Sequence, residues 1–197
     1  MPLRLISMKY SKTMDKSASP IVYVSTNLYH MGLSLSFRTD YGSARNEQKL
    51  ILEVLSKLPH KVRYKVYPED NRRYADIDPV LEDVKEADNI ELFSKKVDMR
   101  YLISEHSVLV TTAATSTLGW LFMSGKPVVF INHKNNSPLA DEAYKSLSKG
   151  IFVFDADERD FHQNLREFLS QSLDKIERLW QEKEGARKEM LKDYFSA

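Results

Sequence analysis

The sequence predicts an α/β domain built on a doubly wound parallel sheet of about six strands. Short apolar runs alternate along the chain with longer segments whose apolar residues recur at helical spacing. The short runs are unbroken, which is typical of strands buried on both faces of a parallel sheet. Strands that alternate with helices in this way indicate crossover connections and one doubly wound layer.

Three strands are predicted in the first half of the chain, at Ile21–Ser25, Val62–Tyr67 and Ile90–Phe93. Their β-branched and aromatic residues favour extended structure. The first strand leads into a polar and aromatic loop, Thr26–Gly42. Loops of this length inside a compact domain are usually functional or mobile, so we expect this one to lie near a site.

Helices are predicted around these strands. The first has Ser43 as its expected N-cap, buries one apolar face and ends at Pro59. Two shorter helices are predicted at Pro79–Ala87 and Val97–Ser104.

The second half repeats the alternation and adds C-terminal helices. Strands are predicted at Ser107–Val110, Val128–Ile131 and Ile151–Phe154. The predicted helices are Leu118–Met123, Ala140–Leu147, one capped by Asp157, and a charged pair within Leu173–Phe195 that breaks near Gly185.

Composition excludes several classes of function. The formal charge of +1 indicates neither a nucleic acid nor an anionic membrane as partner, and no apolar stretch approaches the ~20 residues of a membrane span. The chain has no cysteine, which rules out disulfides and thiolate catalysis. We expect residues 1–20 to be a tail or linker, residues 21–197 to form the domain, and the location to be cytoplasmic, with a membrane-peripheral location as the alternative.

Familiar site motifs are missing. The first strand is not followed by G-x-G-x-x-G, and Gly125-Lys126-Pro127 has a proline where a P-loop needs Ser or Thr. Ser116 lacks the glycines of a nucleophile elbow. The histidines are scattered and no H-E-x-x-H occurs, so no metal site and no cofactor are predicted.

Two segments remain as candidates for a site. The turn Thr111–Thr117 places hydroxyls before a helix, either as N-caps and small packing residues or as a phosphate cradle. Lys65-Val66-Tyr67-Pro68 closes the second strand, either with an exposed lysine or with a cation aimed at a ligand. Both interpretations of each segment stay open at this point.

Together these segments resemble the C-terminal, donor-binding half of GT-B glycosyltransferases. The resemblance is to bacterial surface-polysaccharide enzymes that use CMP-sugars or CDP-alcohols, such as capsule-type Kdo transferases and CDP-glycerol transferases. Those families carry K-x-H-P after a strand, and here the segment reads Lys65-Val66-Tyr67-Pro68. They also carry a Ser/Thr pair that opens a helix, followed by G-x-E-A-x-x-x-G-K-P-V, and here the corresponding segment runs from Thr115 to Val128.

The resemblance implies roles for particular residues. Thr115, Ser116 and Thr117 are expected to bind the donor phosphate. Residues expected near the nucleotide are Lys65, Tyr67, Pro68, Thr26 and Thr112. The implied partners are a nucleotide-sugar or CDP-alcohol donor and, if the chain is a fragment, an N-terminal GT-B domain; a nucleic acid is not expected.

Two departures from the family pattern keep other functions open. Tyr67 stands where the family has His, and Trp120 stands where it often has Glu. A non-catalytic Rossmann-like assembly module is therefore the first alternative, and a sugar-nucleotide epimerase-like domain is the second, although the sequence displays no cluster of carboxylates and histidines. No catalytic base is assigned. His30 and His133 lie in loops where a base could be placed, but neither is given that role.

Overall fold

The computed structural model describes residues 19–26, 28, 40–67, 78–134 and 139–195. Within these ranges six strands form one parallel sheet in the order β3-β2-β1-β4-β5-β6. The predicted fold class, an α/β Rossmann-like doubly wound sheet, is confirmed. The strands are β1 (Ile21–Val24), β2 (Val62–Lys65), β3 (Ile90–Phe93), β4 (Val108–Thr111), β5 (Val128–Asn132) and β6 (Phe152–Asp155).

Helices in two groups accompany the sheet. The helices are α1 (Asp40–Glu53), α2 (Pro79–Glu86), α3 (Met99–Leu102), α4 (Ser116–Phe122), α5 (Asp141–Gly150), α6 (Phe161–Leu169), α7 (Leu173–Glu182) and α8 (Glu184–Phe195). α1 packs against α2 and α6, whereas α3 packs against α4 and α5 packs against α8. This grouping agrees with a doubly wound fold, whose helices cover both faces of the sheet.

The core follows from the unbroken apolar runs. Every residue of the central strands β1, β4 and β5 is buried, while β3 and β6 at the edges are partly exposed. Burying one Val, Leu, Ile or Phe side chain contributes about 1.5–3 kcal/mol. The central strands therefore supply much of the driving force and hold the strand ends in fixed positions.

The C-terminal helices are tied to the second half of the sheet. The indole Nε1 of the fully buried Trp180 donates to the carbonyl of Gly125 at 3.0 Å, and the Arg187 guanidinium lies 3.7 Å from the Trp180 ring centroid. Gly150 allows a close approach of α5 and α8, because a Cβ there would come within 2.7 Å of Met190 Sδ and 3.3 Å of Arg187 Cα. The helices α7 and α8 thus pack as part of this domain.

The ends of the first helix differ from the prediction. α1 begins at Asp40, so Ser43 lies within its first turn and is not its N-cap. The helix ends at Glu53, and a 3₁₀ turn, Leu55–Lys57, precedes Pro59. Polar residues are common both at an N-cap and in the first helical turn, so the pattern alone does not separate the two positions.

The predicted cap of α6 is also wrong. The residue before α6 is Asp160, and its side chain makes no capping hydrogen bond. Asp157 lies in the preceding turn, where the amide of Glu158 donates to the Asp155 carbonyl at 3.1 Å. Asp157 is therefore placed at the carboxyl edge of the sheet, where it lines a cavity.

Candidate functional site

The carboxyl edge of the sheet is the region to inspect for a site. From β1 the chain proceeds through β2 to β3 on one side, and then through β4 and β5 to β6 on the other. The strand order reverses between β1 and β4, and ligands of doubly wound sheets bind beyond the strand ends at such a switch point. Among the described residues, two cavities lie beside this switch point.

The first, called the Lys65 cavity, has a volume of about 390 Å³. This lies within the range of about 300–1,000 Å³ that is usual for ligand pockets. It is bounded by the ends of β1 and β2, the segment before α3, and the start of α4. The lining residues are Val24, Ser25, Lys65, Val66, Tyr67, Lys96, Val97, Asp98, Met99, Ser116, Thr117 and Trp120.

Lys65 is buried in the wall of this cavity, which excludes the interpretation as an exposed lysine at a strand end. Its Nζ donates to the Val66 carbonyl at 3.0 Å and to the Lys95 carbonyl at 3.3 Å. Burial lowers the pKa of Lys65, and the nearby Asp98 carboxylate acts in the opposite direction. The ammonium group is held by neutral carbonyls at the rim of a ligand-sized space.

Asp98, Arg100 and Trp120 form a connected group, and two of them, Asp98 and Trp120, line the Lys65 cavity. The Asp98 carboxylate accepts from the Arg100 amide at 2.9 Å and from its guanidinium at 2.8 and 3.0 Å. These hydrogen bonds lower the pKa of Asp98. The same guanidinium lies 4.8 Å from the centroid of the Trp120 ring. Because Arg100 is fixed by Asp98, the indole is positioned as an aromatic wall.

The predicted phosphate-binding hydroxyls are distributed unevenly. Ser116 and Thr117 line the Lys65 cavity, as do Lys65 and Tyr67 from the other segment. Thr115 occupies the N-cap position of α4, is exposed, makes no side-chain capping bond and lines neither cavity. The structure thus brings four of the eight predicted residues together. Pro68, which was expected near the nucleotide, and His30, one of the two histidines considered as a base, lie outside the described residues.

The second, called the Glu47 cavity, has a volume of about 170 Å³ and lies between α1, α6 and the ends of β1, β4, β5 and β6. Two residues predicted near the nucleotide, Thr26 and Thr112, line this cavity instead of the first. The described residues that line it are Thr26, Leu28, Ser43, Asn46, Glu47, Lys49, Leu50, Thr112, Ile131, His133, Ala156, Asp157, Phe161 and His162.

A buried carboxylate, Glu47, joins the two cavities. It accepts hydrogen bonds from the hydroxyls of Tyr23 and Tyr64, both at 2.6 Å, and from Ser25 Oγ at 3.0 Å. Burial raises the pKa of Tyr23 well above its usual value, and the Glu47 charge adds to this effect. Because Ser25 lines the Lys65 cavity, the network gives both cavities a common rigid wall.

Sequence reasoning missed this network, although two signals for it were present. Glu47 lies three and four residues before Leu50 and Ile51, on the face of α1 that the apolar pattern buries. Tyr23 and Tyr64 occupy directly paired positions of β1 and β2. A glutamate on a buried helix face above two paired tyrosines would have predicted a hydrogen-bonded carboxylate.

The Glu47 cavity also gathers acidic and basic groups that are far apart in sequence. His133, Asp157 and His162 line it together with Glu47 and Lys49. His162 Nδ1 lies 3.4 Å from the Glu53 carboxylate. Burial lowers the pKa of His162, while Glu53 raises it and Lys49 lowers it. A cluster of carboxylates and histidines, which the sequence does not display, therefore exists in three dimensions.

Two further observations on the described ranges concern metal binding and membrane crossing. No group of His, Asp or Glu side chains in them has an arrangement that could hold a metal ion. None of the helices in these parts of the chain is both long and apolar enough to cross a membrane.

Comparison with known proteins identifies the fold. No protein-family model and no curated protein sequence matches the chain. The structure of spinosyn forosaminyltransferase SpnP is similar over 92% of this chain and 41% of its own, with 16% identity and a TM-score of 0.54. WaaG, a glycosyltransferase involved in lipopolysaccharide biosynthesis, is similar over 98% of this chain and 47% of its own, with 15% identity and a TM-score of 0.52.

The chain therefore spans less than half the length of these two enzymes. At such low sequence identity the likeness carries information about the fold alone. It shows that the chain has an α/β Rossmann-like fold of the kind found in GT-B glycosyltransferases.

Proposed function

We propose that this chain is the donor-binding half of a glycosyltransferase or polyol-phosphate transferase in surface-polysaccharide biosynthesis. Its donor would be a CMP-sugar or CDP-alcohol bound in the Lys65 cavity. The observation that carries the proposal is the convergence of Lys65, Ser116 and Thr117 on one ligand-sized cavity beside the switch point. The GT-B-like fold supports it.

The lining of the Lys65 cavity suits a nucleotide. The Lys65 ammonium and the hydroxyls of Ser116 and Thr117 are donors for phosphate oxygens. Tyr67 and Trp120 supply aromatic surface on which a base can stack. In a transfer reaction negative charge develops on the leaving phosphate, and preorganised donors of this kind stabilise it. The proposal assigns this task to side chains and requires no metal ion.

Transfer also requires a base that deprotonates the acceptor hydroxyl. In the proposal a second domain, packed on the carboxyl edge of the sheet, supplies this base and the acceptor site. The lengths of SpnP and WaaG, of which this chain covers 41% and 47%, leave room for such a domain. The isolated chain is accordingly expected to bind the donor nucleotide without turnover.

A thermal-shift measurement with CMP, CDP and UDP tests the proposal. A nucleotide present at about 100 times its Kd stabilises the protein by about 2.7 kcal/mol. For a chain of this size this corresponds to roughly 5–10 °C in Tm. Combining Ser116→Ala with Thr117→Ala is expected to abolish the shift, whereas Ser43→Ala, which removes a hydroxyl from the neighbouring cavity, is expected to retain it.

Two results would contradict the proposal. A shift that persists in the double variant would show that the phosphate is bound elsewhere. The absence of any nucleotide response, together with stable capture of a partner protein, would instead favour the non-catalytic assembly module.

A further inference from the structure

We infer that the Glu47 cavity is a second binding site, which takes an uncharged polyhydroxylated molecule such as a sugar ring or short polyol. The inference depends on the lining of this cavity and not on nucleotide binding in the Lys65 cavity. The two assignments can therefore fail independently.

The size and rigidity of the cavity favour one small ligand. Its volume of about 170 Å³ is below the range of about 300–1,000 Å³ of pockets for drug-sized molecules. Its Glu47 wall is held by hydrogen bonds from Tyr23, Tyr64 and Ser25. A wall fixed before binding reduces the entropy that binding costs.

Groups that both donate and accept hydrogen bonds surround the space. Thr26, Ser43 and Thr112 contribute hydroxyls, and Asn46 contributes an amide. A hydroxyl donates one hydrogen bond and accepts two, and a side-chain amide also does both. A ligand rich in hydroxyls pairs with both the donors and the acceptors of such a lining, whereas a ligand that only accepts uses the donors alone.

The charges at the cavity disfavour an anion. Glu47 and Asp157 contribute carboxylates, and Lys49 contributes one ammonium group. His162 adds an uncharged imidazole, because burial lowers its pKa. The carboxylate of Glu53, 3.4 Å from Nδ1, favours the tautomer with the proton on Nδ1, which leaves Nε2 as an acceptor. This balance differs from that of the Lys65 cavity, whose lining includes the buried Lys65.

Apolar side chains complete the match to a sugar ring. Leu28, Leu50, Ile131 and Phe161 line the cavity and are all buried. Phe161 also contacts His162 edge to face, with ring centroids 4.8 Å apart. Sugars present C–H surfaces beside their hydroxyls, so a lining with both apolar and polar side chains serves both.

Ligand-observed NMR of the full chain tests the inference. The neutral probes are glucose, galactose, N-acetylglucosamine and glycerol. Glucose 6-phosphate serves as the negatively charged counterpart of glucose. Saturation transfer is expected for at least one neutral probe, with weaker binding of the phosphate. His162→Phe and Asn46→Ala are each expected to weaken that probe about tenfold, the effect of losing one hydrogen bond in an enclosed site.

The double variant Ser116→Ala with Thr117→Ala is the matched control, since it alters only the Lys65 cavity. It is expected to leave the neutral probe unaffected and to abolish the nucleotide shift. The inference is overturned if none of the neutral probes receives saturation, or if binding is unchanged in both His162→Phe and Asn46→Ala. Nucleotide binding that survives either result leaves the proposed function intact.

Discussion

The amino edge of the sheet, where the strands begin, and the carboxyl edge, where they end, contain similar charged residues in different surroundings. At the amino edge, Arg63 pairs with Glu91 at 3.1 Å and with Glu105 at 2.6 Å. Lys126 Nζ donates to the Ser104 carbonyl at 2.8 Å and also to that of His106. At the carboxyl edge, Lys65 and the Glu47 network border cavities instead.

The difference separates stability from function. At the amino edge the charged groups face protein partners, so their chemistry is used within the fold. At the carboxyl edge comparable groups are held in position by the backbone or by tyrosines, with space for a ligand beside them. Substitutions at the amino edge should therefore alter unfolding, and substitutions at the carboxyl edge should alter binding.

The largest loss in the free energy of unfolding is expected for Arg63→Met, which removes the cation paired with Glu105. The Glu105 side chain is only 7% exposed, and removal of one partner of a buried ion pair costs about 3–5 kcal/mol. Urea unfolding measures the loss. Lys85→Met breaks the exposed pair with Glu82 and is expected to cost less than about 1 kcal/mol. Equal losses in the two variants would contradict the role assigned to the amino edge.

A pH effect of up to about 3 kcal/mol is expected from His106. Its Nδ1 lies 2.8 Å from the Ser19 carbonyl, and burial lowers its pKa from 6.5 to about 4. The difference of roughly 2.5 pH units corresponds to about 3 kcal/mol at about 1.36 kcal/mol per unit. The unfolded chain binds the extra proton, so stability is present above pH 6.5 and is lost as the pH falls towards 4.

Carboxylates also titrate at acidic pH, and the pKa values of Glu91 and Asp155 are lowered. The informative quantity is therefore the difference between the wild type and His106→Gln, measured by urea unfolding at several pH values. This difference is expected to change between pH 6.5 and 4. A constant difference would show that His106 does not titrate on unfolding.

A smaller change in stability is expected for Lys65→Met, on the same strand as Arg63. The substitution removes a buried charge together with its desolvation cost, but the Val66 and Lys95 carbonyls lose their donor, so the free energy of unfolding is expected to fall by about 1–2 kcal/mol, less than in Arg63→Met. The nucleotide-induced rise in Tm should nevertheless disappear. A variant that unfolds as readily as Arg63→Met, or that keeps the full nucleotide response, would remove the distinction between the two edges.

Much of the fold was predictable because it depends on local patterns. Each strand of the observed sheet overlaps a predicted strand, and the break between α7 and α8 falls at Lys183, two residues from the predicted Gly185. Helix starts were less predictable, since capping and first-turn positions attract similar residues. Ser43 was misassigned for this reason, whereas Asp157 was misassigned because the helix begins after a further acidic residue, Asp160, at the N-cap position.

The candidate site was predictable only in part. Lys65, Tyr67, Ser116 and Thr117 follow strands that end at the same edge, so their convergence on one cavity could be expected from the motifs. The separation of Thr26 and Thr112 into another cavity could not, because it depends on which side of the switch point each loop packs. Glu47 was overlooked because it lies on a helix, while its partners come from two strands, Tyr23 and Tyr64, and from Ser25 after the first strand.

By itself the sequence determined the α/β class, the strand positions and the hydroxyl-rich turn, since periodicity and turn residues act over a few neighbours. Only the tertiary structure decided that the Lys65 and Glu47 cavities form among the described residues, that Lys65 is buried, and that Glu47 links the two cavities through Ser25. The reason is that parallel strands bring their carboxyl ends together from segments tens of residues apart. Local sequence patterns do not show which side chains then come into contact.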